Sequence, residues 1–560
     1  MIVILLSWCY IFFISITFGV TFLKFIRLEA HNTAITSISG LFCVTVLASF
    51  WALFAPISLN FQITLLLTSI LLLLKSKGDF LSVLYSIKYT FKAFPFGLKV
   101  LFFVSSLLIL VQSATLPFII DNETYYIQTI KWLNEYGFVP GLANLHLFFG
   151  QTSGWHITQS VFSFSFLFDS LNDLNGFCLL LGNFWAFSKL RSYFSTKNQL
   201  DLVFGLLPIT YIFLFQFVNS PSPDLPVYLF GLILFSLYLD EDNFILITVF
   251  ALFLVYIKIT ALIFLLFPGI ILLKNYRILK NKLTIAVSLS IVVFTVFIIK
   301  NSILTGYPLF PMTFISLPNV NFIVPKDVVD FFFSQSMMHS FYMPFGSFEN
   351  SSLSDFAKHY FLLNGLDSFI AISTLLLLLF SPIVISKYFS KTSIWGIYFA
   401  FILLLALLIL SSPQYRFYVY FTLFFGLLWF SLVVKSENMV LVSFSFNFIL
   451  IAILVFVPLS LNSITNNKSL AHNSTFHFNN ILIPEPNTKS NQKYQLLKKQ
   501  NLEYYSPIQY NFFWITGNGK LPCANQEQIH YFETNFQIIP QLRGKNLEDG
   551  FYAKKVNTNE

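Results

Sequence analysis

The sequence predicts an all-α polytopic transmembrane helix bundle of about 14 spans, followed by a small extracytoplasmic domain of mixed α and β structure. Three observations predict it. Of the 560 residues 56% are hydrophobic and only 10% charged, and the mean hydropathy of +0.73 is one that a soluble globular chain of this size does not reach. The apolar residues come in runs of about 15 to 24, the length a helix needs to cross a hydrocarbon layer roughly 30 Å thick. Lys and Arg gather in short clusters between these runs, at alternate ends, as the positive-inside rule requires. The net charge of +8 therefore reports topology and calls for no nucleic-acid partner.

Taken in order, the runs are residues 2–23, 34–57, 61–75, 98–118, 173–189, 201–218, 224–240, 244–257, 259–273, 282–300, 366–388, 394–411, 414–434 and 438–461. The first has no basic segment before it and no small-residue cleavage site, so it reads as a retained helix. Asn243 to Lys274 divides into two short arms with Lys258 at the outer tip, because a single span would put the cluster from Lys189 to Lys197 outside. The clusters at Lys24 and Arg27, Lys75 to Lys99, Lys189 to Lys197, Lys274 to Lys282, and Lys387 to Lys391 then all face the cytoplasm. Loops 119–156 and 301–365 face outward. Between them, Trp155 to Asp169 reads as an amphipathic helix on the outer surface, since counting it as a span breaks the alternation. From residue 462 Asn, Gln, Lys and Glu replace Leu and Phe, which marks 1–461 as the membrane domain and 462–560 as the external one. Cys9, Cys43 and Cys178 lie in apolar runs and Cys523 in the polar tail, so no disulfide framework is expected.

The residues able to carry chemistry stand at the outer ends of these runs. Asp121 follows directly on "PFII" and Glu123 comes two residues later, at a depth where a charge is costly and usually has a task. Asp224 opens a span between Pro223 and Pro226, in a first helical turn whose dipole favours an acid. Lys258 in "VYIKITAL" and Arg416 in "SSPQYRFYVYF" are cations near the same interface, suited to a lipid phosphate, Arg416 the more so for its planar fork. Tyr307 lies in the rigid turn "GYPLFP" as an interface anchor. His146 and His156 form no metal-ligand spacing with the acids. The two carboxylates of Asp121-x-Glu123 offer oxygen ligands to a divalent cation, and no other cofactor is expected.

An acidic motif opening the first external loop, a short lysine-bearing hairpin, a "GYPLFP" turn after a later span and a trailing external domain resemble the polytopic glycosyltransferases of the GT-C superfamily. More closely, "IKWLNEYGFVPGLANLH", "SPSPDLP", "NSILTGYPLFP" and "LPC" look like a family of large bacterial membrane proteins of uncharacterised activity that share this layout over most of the chain. The superfamily resemblance implies transfer of a sugar from a polyprenyl-phosphate carrier to a glycan or lipid acceptor, on the outer face of a bacterial inner membrane. The base is then Asp121, with Glu123 as its partner or as the base itself. Many relatives have adjacent acids or a histidine close behind them, where this chain reads Asp-Asn-Glu-Thr-Tyr-Tyr and places Tyr126. The expected substrate-binding residues are Tyr126, His146, Asp224, Lys258, Tyr307 and Arg416. A phosphate leaving group needs a cation and not a proton, so one carboxylate and one Lys or Arg suffice for an inverting displacement. The alternatives are a transporter or flippase of lipid-linked glycans, disfavoured by the lack of matching broken helices in two halves, and a non-catalytic membrane scaffold. A bacterial origin means that the Asn-x-Ser/Thr triplets at Asn122, Asn350, Asn467 and Asn473 are not read as glycosylation sites.

Overall fold

The computed structural model describes all residues except 30–31, 169–170, 242, 342, 344–350, 363–364, 463–471, 490–492, 509–511 and 557–560, together with the side chain of residue 353. Helices α1 (Ile2–Phe25), α2 (Thr33–Trp51), α3 (Leu59–Lys92) and α4 (Phe96–Ser113) lead into the first loop. There one π-helical turn (Asn122–Tyr126) runs into α5 (Ile127–Glu135), and α6 (Gly154–Val161) follows. Next come α7 (Leu174–Thr196) and a broken span of α8 (Gln199–Gly205), 3-10 turns and α9 (Tyr211–Leu214). After α10 (Asp224–Leu239), α11 (Phe244–Ile257), α12 (Leu266–Lys274) and α13 (Tyr276–Thr305), the second loop carries α14 (Lys326–Ser340) and α15 (Leu353–Phe361). The helical region closes with α16 (Leu366–Tyr388), α17 (Ser393–Ile409), α18 (Val419–Val433) and α19 (Glu437–Phe456).

Each expected apolar run contains helix, although 34–57 and 98–118 end as helices at Trp51 and Ser113. Among the described residues eight helical stretches are long and apolar enough to cross a membrane, and five more apolar helices have 10–17 residues. The shorter ones include α10 and α11, which are buried along their whole length and so are shielded from lipid by the outer helices. Close packing of α1 on α2 rests on two small residues: a Cβ added at Gly40 would lie 1.8 Å from the Ser15 carbonyl oxygen, and one at Gly19 would lie 1.9 Å from that of Thr36. The Ser15 and Ser37 hydroxyls bond across the same crossing at 2.7 Å.

The two ends of α10 carry different chemistry. At its C-terminus Asp240 receives Lys189 at 3.1 Å, and Lys391 donates to the Leu239 carbonyl at 2.7 Å, where a cation offsets the helix dipole. Lysines from two of the expected cytoplasmic clusters thus meet at one end, and Asp224 stands at the other.

Two features differ from expectation. Helix α3 does not stop at Lys75 but continues to Lys92 through a non-helical Ser76, the apolar half passing into a polar half with many exposed residues. Helix α6 ends at Val161 and is not a surface helix, because every residue in it is buried. Thr158 is satisfied internally, by Thr45 at 2.6 Å and by the Gly154 carbonyl at 2.9 Å. The C-terminal segment, with antiparallel pairs β1 (Tyr494–Lys499) and β2 (Leu502–Pro507), β3 (Ile538–Leu542) and β4 (Phe551–Lys555), and α20 (Gln526–Phe536) between them, shares a core with both loops. Trp514, Phe532 and Ile538 pack there with Leu147, Phe310 and Phe332. Asp169, Asn350 and Asn467 lie outside the described residues.

Candidate active site

A cavity of about 1620 Å³ opens between the helical bundle and the two loops, and Asp121, Tyr126, Asp224, Lys258 and Arg416 all line it. Each is placed by a break in a helix. Asp121 immediately precedes the π-helical turn, whose wide pitch leaves Tyr125 and Tyr126 facing the cavity with it. Asp224 is the first residue of α10, with the Ser222 hydroxyl accepting its amide at 3.3 Å. Lys258 takes an extended backbone at the end of α11, where the chain turns into a 3-10 helix over Ile259–Leu265 that packs back on α11. Arg416 belongs to the 3-10 turn Tyr415–Phe417 that leads into α18.

Charges distant along the chain meet as two ion pairs. Arg416 Nη1 donates to Asp121 Oδ2 at 2.6 Å, and Arg416 Nε to Gln414 Oε1 at 2.7 Å. Lys258 donates to Asp224 Oδ1. The Phe417 ring links the two pairs, with Lys258 Nζ 4.6 Å and the Arg416 guanidinium carbon 5.3 Å from its centroid. Tyr126 donates to Asp121 Oδ2 at 3.4 Å, a long bond that leaves the carboxylate dependent on Arg416. The Asp121 and Arg416 side chains keep 20% and 33% of their exposure, whereas Asp224 keeps 2%, so the first pair is the one a ligand reaches.

Glu123, His146 and Tyr307 lie outside this cavity lining. Glu123 is 3% exposed and turns to the C-terminal segment, where it accepts the Lys489 amide at 2.9 Å and the Thr488 hydroxyl at 2.8 Å. Its own carbonyl accepts the Thr516 and Gly517 amides at 3.0 and 2.7 Å. Glu123 is a clamp. A divalent site shared with Asp121 would require it to leave these partners, and among the described residues no group of three or more His, Cys, Asp and Glu is placed to hold a metal. The neighbouring Lys489 ammonium donates to the Phe118 carbonyl at 2.9 Å, and burial pushes its pKa down to about 8 against the pull of Glu123. His146 is fully buried, its Nε2 2.9 Å from the Trp514 carbonyl, and burial lowers its pKa to about 4, which keeps the ring neutral and Nε2 the donor. Tyr307 donates to the Val324 carbonyl at 2.9 Å and is a packing residue of the second loop.

Lys300 is a lining residue that the sequence reading passes over. The run 282–300 closes on it, so it reads as a boundary lysine; in the fold α13 continues to Thr305, and Lys300 sits inside the helix, 3% exposed. The signal available was Gly306, a C-terminal stop that sets the helix end beyond Lys300.

No curated protein and no solved structure matches the chain. A family model described as a domain of unknown function (DUF8201) matches residues 1–423. That span includes Asp121, Asp224, Lys258, Lys300 and Arg416 and ends before the segment that clamps Glu123. With 423 of its 560 residues covered by one model, the chain belongs to the DUF8201 family.

Proposed function

We propose that this protein is an integral membrane glycosyltransferase of GT-C type, with about fourteen membrane crossings, that moves a sugar from a polyprenyl-phosphate donor to a glycan or lipid acceptor on the extracytoplasmic face of a bacterial inner membrane. The observation that carries this reading is the meeting of Asp121 with Arg416, and of Asp224 with Lys258, in one large cavity. Each carboxylate there is neutralised by a cation that a phosphate can also use. A donor phosphate that takes Arg416 leaves Asp121 free, so binding of the substrate itself produces the base.

The step then balances. The acceptor hydroxyl oxygen attacks the anomeric carbon, the bond from that carbon to the phosphate oxygen breaks, and the electron pair leaves with the phosphate, held by Arg416 and Lys258. Asp121 takes the hydroxyl proton, and one displacement inverts the anomeric centre. Asp224, held by Lys258 and Ser222, is placed to orient a sugar hydroxyl. The apolar carrier has a surface to lie on as well: Leu262, Leu403, Leu407 and Ile453 line the cavity and are exposed there or beside it.

The test is transfer by the purified protein from a panel of polyprenyl-phosphate sugars, with Asp121→Asn and Arg416→Met beside the wild type. Loss of transfer in Asp121→Asn with donor binding retained supports the reading. Net movement of the lipid-linked glycan across vesicles without transfer identifies a flippase and overturns it.

A further inference from the structure

Lys300 stands apart from the other two cations of the cavity. Arg416 and Lys258 each meet a carboxylate, whereas Lys300 has no ion pair among the described residues: its ammonium donates to the Thr152 carbonyl and faces the rings of Phe297 at 5.3 Å and Tyr256 at 5.7 Å. Asp367, the third acid of the cavity lining, opens α16 instead. A lysine taken out of water at 3% exposure with one neutral acceptor is a costly arrangement, and a hydrophobic side chain of the same length would fill the space at less cost. Its position is nevertheless well fixed. Ser153 donates to the Ile257 carbonyl at 2.5 Å, so the Thr152–Ser153 turn that holds Lys300 is tied to the end of α11, one residue from Lys258. The two lysines share the wall built by Tyr256 and Ile257 and both face the cavity.

We propose that Lys300 is a second anion subsite, which takes a negatively charged group of the substrate other than the phosphate at Arg416 and Lys258. The group is the further phosphate of a lipid diphosphate or the carboxylate of an acidic sugar, both of which present charged oxygens to an ammonium. This rests on the cavity being a lipid-phosphate site. It narrows the substrate to one carrying at least two separated anionic groups.

The experiment measures binding to the full-length protein in detergent. One arm compares prenyl monophosphate with prenyl diphosphate of the same chain, and the other compares prenyl-phosphate glucose with prenyl-phosphate glucuronic acid. Wild type should prefer the doubly anionic member of one arm by about tenfold, and the arm that shows it identifies the source of the charge. Lys300→Met should remove that preference while monophosphate affinity stays within about twofold, and Lys300→Arg should keep it. Without ligand, Lys300→Met should unfold at the wild-type temperature or above it. Equal affinity within both arms for the wild type overturns the subsite whatever the variants do, and so does a preference that survives in Lys300→Met. Failure of every compound to bind instead overturns the lipid-phosphate reading of the cavity.

Discussion

Replacing Glu123 by Ala removes the acceptor that joins the first loop to the C-terminal segment, and the cost can be worked from two contacts. The Lys489 amide at 2.9 Å and the Thr488 hydroxyl at 2.8 Å both lose their carboxyl acceptor. A buried donor left without an acceptor costs about 1–3 kcal/mol. Both residues are only half-buried, so water replaces part of the loss, and docking of the segment should weaken by about 2–3 kcal/mol. That is a roughly 30- to 150-fold rise in the local opening equilibrium. Hydrogen exchange read by mass spectrometry provides the assay, because the Lys489 amide should exchange faster by that factor. The Thr516 and Gly517 amides bond to the Glu123 backbone carbonyl, which the Ala variant keeps, and should accelerate less. Transfer activity should survive at reduced level. Unchanged exchange at Lys489 together with abolished transfer would show that Glu123 acts as the base and refute its assignment as a clamp.

Other outcomes follow from the same geometry. Asp224→Asn should cost about 3 kcal/mol by stranding the Lys258 ammonium, and Lys258→Met in that background should recover most of it; thermal unfolding of the two single variants and the double variant checks this, and additive losses would contradict it. The His146 pKa falls from 6.5 to about 4 on folding, so the native state binds fewer protons between those values. Stability should therefore be complete above pH 6.5 and fall by roughly 3 kcal/mol as the pH drops to 4, with His146→Gln flattening the profile of loop unfolding. Gly40→Val puts a branched side chain where even a Cβ lies 1.8 Å from the Ser15 carbonyl oxygen, so the α1–α2 crossing should open and the yield of monodisperse protein collapse.

Much of the fold is legible in the sequence because apolar run length and flanking charge are local properties. Residues 366–388 and 244–257 form α16 and α11 with the expected bounds, and the break at Lys258 falls where charge alternation requires it. The meeting of Asp121, Asp224, Lys258 and Arg416 is legible for a related reason, since groups at the same ends of spans share a depth. Depth does not say which way a side chain turns. Glu123 lies two residues from Asp121, yet its partners are 365 and 366 residues away, and no spacing rule connects them. Helix α6 shows the same limit, because a run with several polar residues resembles a surface helix until Thr45 supplies a buried partner for Thr158.

The most direct measurement is an experimental structure of the protein with a polyprenyl-phosphate sugar bound. The phosphate should lie against Arg416 and Lys258, with Asp121 released from its 2.6 Å pairing to Arg416 and turned toward the acceptor side of the cavity. A sugar phosphate found away from these cations, with both ion pairs intact, would contradict the account.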